Sequence, residues 1–463
     1  MAEQRPPVPF AAPWLFDRLA TFGDTIALVH NGRLISYRTL LQRVDDWDSQ
    51  LARSNIGPGS VVVLEGTTSA GAVGLLLALI RRGAITVPLT PQAPVARETI
   101  AVLAEASWQA SFQSTRDGDE TATLVGAPRA LTAPLLQRLA QQQHPGLVLF
   151  SSGSTGTPKG VVHDCVALLA KFERPGKCKT TLSFLLFDHI GGVDTLFNTL
   201  SSGGTLVTIP SRDPDTVCAA IAAHRVHTLP TSPTFLNMLL MSGAHQRHDL
   251  SSLRLVAYGT EPMPASVLER LRESMPQVKL LQTYGLSETG VLRTRSREGT
   301  LWMQMTGEGY QTQVRDGVLW IRAATSMLGY LNAPDRFDAE GWFCTEDAVE
   351  VDGDYLRILG RTSDLINVGG RKVYPAEVEE VLLDLPNVRD VAVFGRPNPL
   401  TGQIVAARIN LASPESLDQF KRRMRQFCRD RLPPYKMPVH VEFTDADQFG
   451  ARMKKKRDGA ATS

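Results

Sequence analysis

Short apolar runs rich in β-branched residues recur along this chain, each closed off by Gly or Pro, with helix-period stretches between them. No other feature narrows the fold as much. Residues 60–64, 85–89, 147–150, 205–209 and 253–257 read as buried strands, and residues 37–54, 71–82 and 265–273 as helices. Such alternation predicts an α/β architecture with largely parallel sheets. Beyond Gly360 the texture changes to a compact unit: a Gly-rich turn, a helix over 375–385, strands at 390–394 and 405–410, and a helix over 416–431. The boundary is expected between Gly360 and Asp364. It divides the chain into residues 1–360 and 361–463, the second piece being of a common domain size.

Composition removes several classes of function. The chain has 463 residues, 43% hydrophobic and 21% charged, which fits a soluble globular protein of two or three structural units. Lys+Arg total 49 against 47 Asp+Glu, a net charge of +2, so the basic excess of a nucleic-acid binder is missing. The five cysteines have no C-x-x-C spacing and read as reduced thiols of a cytoplasmic protein. The first residues lack the basic and apolar regions of a secretory signal. The longest apolar run, residues 70–80, stops at Arg81-Arg82 and has about half the length that crosses a bilayer, so no membrane span is expected.

The stretch with most chemical content is Leu147-Val-Leu-Phe-Ser-Ser-Gly-Ser-Thr-Gly-Thr-Pro-Lys-Gly160. An apolar strand runs into a loop of glycines and hydroxyl side chains and then a lysine. Glycines let backbone N–H groups wrap a polyphosphate, hydroxyls add donors, and the lysine supplies countercharge. The order of Lys159, after Pro158 and before Gly160, is not that of a Walker A loop.

This loop resembles the phosphate-loop signature of the adenylate-forming enzymes: the acyl- and aryl-CoA synthetases, the adenylation domains of nonribosomal peptide synthetases, and the luciferases. The match runs through Ser151, Ser152, Gly153, Ser154, Thr155, Gly156, Thr157, Pro158, Lys159 and Gly160. Further motifs follow in the family's order. Tyr284-Gly-Leu-Ser-Glu-Thr-Gly290 resembles Y-G-x-[ST]-E, and Tyr258-Gly-Thr-Glu-Pro262 resembles the segment along the adenine and the acyl pocket. Trp342-Phe-Cys-Thr-Glu-Asp347 is similar to W-[FY]-x-T-G-D, with Glu346 in the place of glycine. Residues 359–379 match the stretch that opens on G-R-x-x-D and closes on P-x-E-[VI]-E.

The resemblance implies a large N-terminal domain of stacked α/β sheets with a small β-barrel, and a small mobile α+β C-terminal domain. The barrel region, residues 307–330, is shorter than usual. The implied reaction joins a small carboxylic acid to ATP as acyl-AMP with release of pyrophosphate. The acyl group then passes to a thiol, either CoA or the phosphopantetheine of an acyl carrier protein. Two alternatives stay open: an amide ligase that passes the acyl group to an amine, and a non-catalytic relative that only binds nucleotide. By the same resemblance, residues 151–157, Lys159, Gly259, Thr260, Glu261, Thr283, Tyr284, Gly285, Ser287, Asp347 and Arg361 bind ATP or AMP. Glu288 would hold Mg²⁺, Asp364 would be the hinge, and Gly369 and Gly370 would meet the acceptor.

The acyl pocket would take Tyr258, Gly259 and His189, and His189, at the gating position, would also be catalytic. In Leu185-Leu-Phe-Asp-His-Ile-Gly-Gly192, His189 matches the histidine of the CoA synthetases, while Asp188 can be read as the amine-binding aspartate of peptide synthetases; the first alignment needs no shift. The C-terminal end departs most from the pattern. The proline and the glycine of P-x-[ST]-x-x-G-K are missing, yet Lys454 lies sixteen residues after Pro438 and three before Arg457, as the family's catalytic lysine does. Lys454 is therefore the expected catalytic lysine, with Lys455 and Lys456 as the alternatives.

Overall fold

The computed structural model describes residues 12–91, 93, 96–114, 120–151, 158–450 and 453–457. Two seven-stranded sheets build the larger part. The first runs Lys279–Gln282, Leu255–Tyr258, Thr228–Thr231, Thr180–Leu182, Thr205–Val207, Ile26–His30, Arg33–Ser36, and is parallel except for its closing hairpin. The second runs Gly329–Tyr330, Lys159–Asp164, Gly146–Ser151, Ile85–Leu89, Val61–Glu65, Trp108–Ser114, Glu120–Gly126. Its centre is parallel and its flanks are antiparallel.

One core joins these sheets. Helix Ala70–Arg81 is apolar on all sides and almost wholly buried. Helix Tyr37–Arg53 buries Tyr37, Leu40, Val44, Trp47 and Leu51 along a single stripe, the mark of a helix with one wet face. Both start at a serine cap, Ser69 and Ser36, whose side chain accepts a first-turn N–H. They share a cluster with Leu28 and Leu206 of the first sheet and Val62, Leu64 and Leu149 of the second.

A third, six-stranded sheet is antiparallel throughout, from Thr294–Ser296 to Tyr310–Arg315, with Phe343–Asp352 and Tyr355–Arg361 paired inside it. The resemblance implies a small barrel here; among the described residues the pairing is an open path. From Ile366 onward a separate core forms between a five-stranded sheet and helices Pro375–Leu383 and Leu417–Cys428. The strands expected at 390–394 and 405–410 are the middle of a longer hairpin, Val388–Asn398 with Gly402–Leu411. Its polar ends, such as Arg389 and Arg396, face solvent and so carry no apolar signal. Among the described residues, no helix is long and apolar enough to cross a membrane.

Candidate active site

Strands of a parallel sheet end on one edge, and the loops that follow them form the usual crevice of α/β proteins. In the first sheet Thr231 is in register with Tyr258, and Tyr258 with Gln282. The residues after them, Ser232, Gly259 and Thr283, therefore come to the same edge. Thr283 donates both its N–H (2.7 Å) and its hydroxyl (3.1 Å) to the Tyr258 carbonyl. A Cβ on Gly259 would stand 2.6 Å from the Thr283 hydroxyl oxygen and 2.7 Å from its carbonyl oxygen, so glycine is what lets these loops close. Thr260 follows at φ +76°, a left-handed backbone that a β-branched residue rarely takes. The Tyr258 ring is buried in the second core cluster.

Sheet register also explains how two distant motifs meet. Asp347 and Arg361 are directly opposite each other on neighbouring antiparallel strands. Arg361 Nε lies 3.2 Å from Asp347 Oδ1, and the Tyr284 hydroxyl donates to Asp347 Oδ2 at 2.5 Å. Burial raises the Asp347 carboxyl above its ordinary range, although Arg361 and the Tyr284 hydroxyl pull it back. Glu346, in the glycine position of the motif, takes φ +60° and pairs its carboxylate with Arg336. The turn is thus kept without glycine, at the strain cost of a left-handed residue.

Tyr284 opens the short hairpin Tyr284–Leu286 with Gly290–Leu292. A Cβ on Gly285 would come within 2.8 Å of the Val291 Cα, so this position too needs glycine. His163 Nε2–H donates to the Ser287 carbonyl at 2.6 Å, and burial pushes that imidazole down to about 4. Glu288 accepts the Tyr330 hydroxyl at 2.7 Å, and the Lys159 ammonium stands 5.5 Å from the Tyr330 ring centre. Ser152, Gly153, Ser154, Thr155, Gly156 and Thr157 lie outside the described residues. The loop's ends, Ser151 and Lys159, are paired across antiparallel strands. Asn332 braces that base: its carbonyl oxygen accepts Gly160 N–H (3.0 Å) and its amide donates to Pro158 O (2.8 Å).

His189 caps helix Ile190–Ser201, its Nδ1 accepting the Gly191 N–H at 3.2 Å. Asp188 is buried beside it and accepts the Thr90 hydroxyl at 2.8 Å. Asp364 ends the turn Thr362–Asp364 after the last strand of the antiparallel sheet, with Arg457 Nη1 at 3.7 Å. Gly369 and Gly370 form the turn between Ile366–Val368 and Arg371–Val373 at φ +57° and +82°. A Cβ on Gly370 would meet nothing within 4 Å.

The three C-terminal lysines part company. Lys455 turns into the C-terminal domain: its ammonium donates to Val391 O at 2.7 Å and pairs with Asp390 at 3.1 Å. Burial opposes its charge, yet Glu379 and Asp390 outweigh burial and hold its pKa above the ordinary lysine value. Lys456 is exposed on the opposite arm of the turn from Gln448, bonded to it through its backbone N–H at 2.8 Å. Lys454 is exposed, and the charges of Arg361, Glu261 and Asp347 act on it. Desolvation, helped by the Arg361 charge, lowers its pKa, and Glu261 and Asp347 oppose that. Arg457 grips Glu379 at 3.0 and 2.8 Å. Glu261 itself is tied to Thr234, whose N–H (2.8 Å) and hydroxyl it accepts, and to the Lys455 N–H at 3.1 Å.

Tyr330, Asn332, Arg336 and His163 join this constellation without having been expected from sequence. The signal available was Gly329-Tyr-Leu-Asn332, an aromatic and an amide beside a glycine.

Comparison with known proteins points the same way. A sequence model of the AMP-binding enzyme family matches residues 15–331, and one of the AMP-binding enzyme C-terminal domain matches residues 377–454. The feruloyl-CoA synthase of Amycolatopsis sp is 28% identical over 93% of this chain and 94% of its own. The indoleacetate–CoA ligase of Aromatoleum aromaticum is 28% identical over 89% and 90%. Among solved structures, an anthranilate CoA ligase in complex with anthranoyl-AMP superposes with a TM-score of 0.81 at 22% identity, covering 99% of this chain and 97% of that one. The amide bond synthetase McbA from Marinactinospora thermotolerans superposes at 0.75 with 26% identity, covering 93% and 95%.

Proposed function

This chain belongs to the AMP-binding enzyme family, and from that membership we propose that it is a CoA ligase with Lys454 as its catalytic lysine. At the coarser level it is an AMP-forming ligase that makes an acyl-adenylate from ATP and a carboxylic acid and transfers the acyl group to a thiol or an amine. The observation that supports the finer reading is that the backbone on either side of Lys454 is tied to the edge that builds the site, through Met453 O to the Ser232 hydroxyl and through Lys455 N–H to Glu261.

In the first step an oxygen of the acid attacks the α-phosphorus of ATP, and pyrophosphate leaves. Negative charge gathers on the phosphate oxygens, so catalysis consists of positioning and countercharge. In our reading Asp347, fixed by Tyr284 and Arg361, takes the ribose hydroxyls. Lys454 meets the α-phosphate, and Lys159 with the adjoining loop meets the leaving pyrophosphate. Glu288 fits a hard divalent cation such as Mg²⁺. Its carboxylate accepts the Tyr330 hydroxyl, and the Lys159 ammonium stands near the ring of that tyrosine; phosphate oxygens and water would complete the shell. Bound there, Mg²⁺ would neutralise charge on the phosphates.

In the second step the acceptor attacks the acyl carbonyl and AMP leaves. We assign the acceptor to CoA, supported by the curated relatives named above, with Gly369 and Gly370 at its approach. The two domains, residues 1–360 and 361–463, would rotate about Asp364 between the steps, a hinge motion. We place the reaction in the cytoplasm, a reading that the five free cysteines support. The test is ATP–pyrophosphate exchange over a panel of acids that includes ferulate, indoleacetate and anthranilate, followed by product analysis with CoA and with amines. Exchange without a CoA product, but with an amide, would move the assignment to the amine ligase that the McbA likeness favours. No exchange with any acid would leave a nucleotide-binding relative.

A further inference from the structure

We infer that Met453, Ser232 and Glu261 form a latch that seats Lys454 in the nucleotide cleft and restrains the C-terminal domain there; the inference rests on the ligase reading above. Its starting point is a residue that ought to be glycine. In the pattern this chain resembles, glycine precedes the catalytic lysine, whereas here it is Met453. The backbone has kept the glycine geometry, with Met453 at φ +51°. A left-handed methionine is unfavourable, so its side chain must return something that glycine does not. What it returns is contact: Met453 packs against the N-terminal cluster that contains Phe184, Tyr258 and Met263. Among the described residues it is the one hydrophobic side chain from beyond Asp364 that packs against that cluster.

Two hydrogen bonds pin the backbone on either side of Lys454. The Ser232 hydroxyl donates to Met453 O at 2.7 Å. The Lys455 N–H donates to Glu261 Oε2 at 3.1 Å, while Glu261 Oε1 accepts from Thr234. Ser232 and Thr234 begin helix Pro233–Ser242 at the sheet edge that builds the site. The other face of the same turn belongs to the C-terminal domain, through Lys455 to Asp390 and Val391 and through Arg457 to Glu379. The turn is therefore a bridge with anchors on both domains. Rotation into the second step must break the Met453, Ser232 and Glu261 contacts and can leave the others intact. A glycine would allow the same turn without the apolar anchor, so this chain is built to hold its adenylate longer than a glycine-bearing one.

The experiment compares full-length wild type with Met453→Gly, Met453→Leu and Glu261→Ala. Three quantities are read: ATP–pyrophosphate exchange, conversion of preformed acyl-AMP by CoA or amine, and hydrogen exchange of the peptide spanning 453–457. Losing about half of a methionine's burial corresponds to about a fivefold change. Met453→Gly should slow exchange and speed acyl-AMP conversion, each by about that factor, with Met453→Leu returning both toward wild type. Glu261→Ala should shift the two rates in the same opposed senses and unprotect the Lys455 amide. A general folding defect would lower both rates together. Parallel losses, or unchanged rates with unchanged amide protection, overturn the latch. If the wild type supports neither half-reaction the ligase reading fails, and amide protection in the variants still decides whether the contacts hold the turn.

Discussion

Neighbouring lysines 454 and 455 should fail in different ways when each is replaced by alanine. Lys454 is exposed and the charges of Arg361, Glu261 and Asp347 act on it, so its removal takes away countercharge and little packing. Loss of one charged donor aimed at a developing oxyanion costs about 3 kcal/mol, or roughly 10²-fold in rate. Lys454→Ala should therefore lose adenylate formation by that factor and keep its melting temperature. Lys455 is 10% exposed and its partner Asp390 23% exposed. Breaking a fully buried pair costs about 3–5 kcal/mol, and the partial access of Asp390 to water brings this to about 2 kcal/mol. In a domain of about 100 residues that lowers the unfolding midpoint by about 10 °C. Lys455→Ala should thus exchange pyrophosphate at nearly the wild-type rate at low temperature, yet lose its C-terminal domain early in calorimetry. Lys456→Ala, at an exposed position, should change neither. The reasoning is refuted if Lys455→Ala loses exchange 10²-fold with an unchanged calorimetric profile, or if Lys454→Ala stays within about threefold of wild type.

Three further outcomes follow from the site. Glu288→Gln should raise the Mg²⁺ concentration needed for half-maximal exchange and lower turnover; overlaid Mg²⁺ titrations would remove Glu288 as a ligand. Asn332→Ala frees both ends of the brace on Pro158 and Gly160, so the KM for ATP should rise about tenfold, the equivalent of about 1.4 kcal/mol, while the melting temperature moves little; an unchanged KM would make the brace irrelevant to nucleotide binding. His163 has a folded-state pKa of about 4 against an ordinary 6.5, so the unfolded chain binds the proton first and stability falls as pH drops from about 6.5 towards 4. Between pH 7 and 5 this removes about 2 kcal/mol, measurable by urea unfolding and absent in His163→Gln.

Much of the larger architecture was legible because its signals are local. Apolar runs such as 85–89, and the striped helix from Tyr37 to Arg53, declare themselves within one element. What was not legible depends on register. Asp347 meets Arg361 because ten- and seven-residue strands pair with one particular offset, interrupted by an irregularity at Ala348 and Val349. Asn332 reaches Pro158 across 174 positions of sequence. Tyr330 reaches Glu288 because the two-residue strand Gly329–Tyr330 adds to the edge of the second sheet. None of these meetings follows from the spacing of apolar residues.

The departures from the family pattern carry the opposite lesson. Glu346 and Met453 stand in glycine positions, and both take left-handed backbone, at φ +60° and +51°. Thr260 does so as well, at φ +76°, beside Gly259. Each such residue costs about 1–3 kcal/mol, and strain of that size persists only where surrounding contacts over-determine it. Two of the compensations can be named: Glu346 pairs with Arg336, and Met453 packs on the N-terminal core while its carbonyl takes the Ser232 hydroxyl. In both, the backbone shape survived the loss of glycine because the new side chain gained a partner that glycine cannot have. A missing glycine in a motif is therefore no evidence of a lost turn, and here it marks where the chain has added contacts to the site. Restoring glycine tests that directly. Glu346→Gly should relieve the local strain and release Arg336, leaving the Asp347–Arg361 pair in place. The variant should therefore keep its affinity for ATP within about threefold, since Glu346 and Asp347 are neighbours with separate partners. A loss of nucleotide binding beyond tenfold would show that the Arg336 pair supports Asp347 after all.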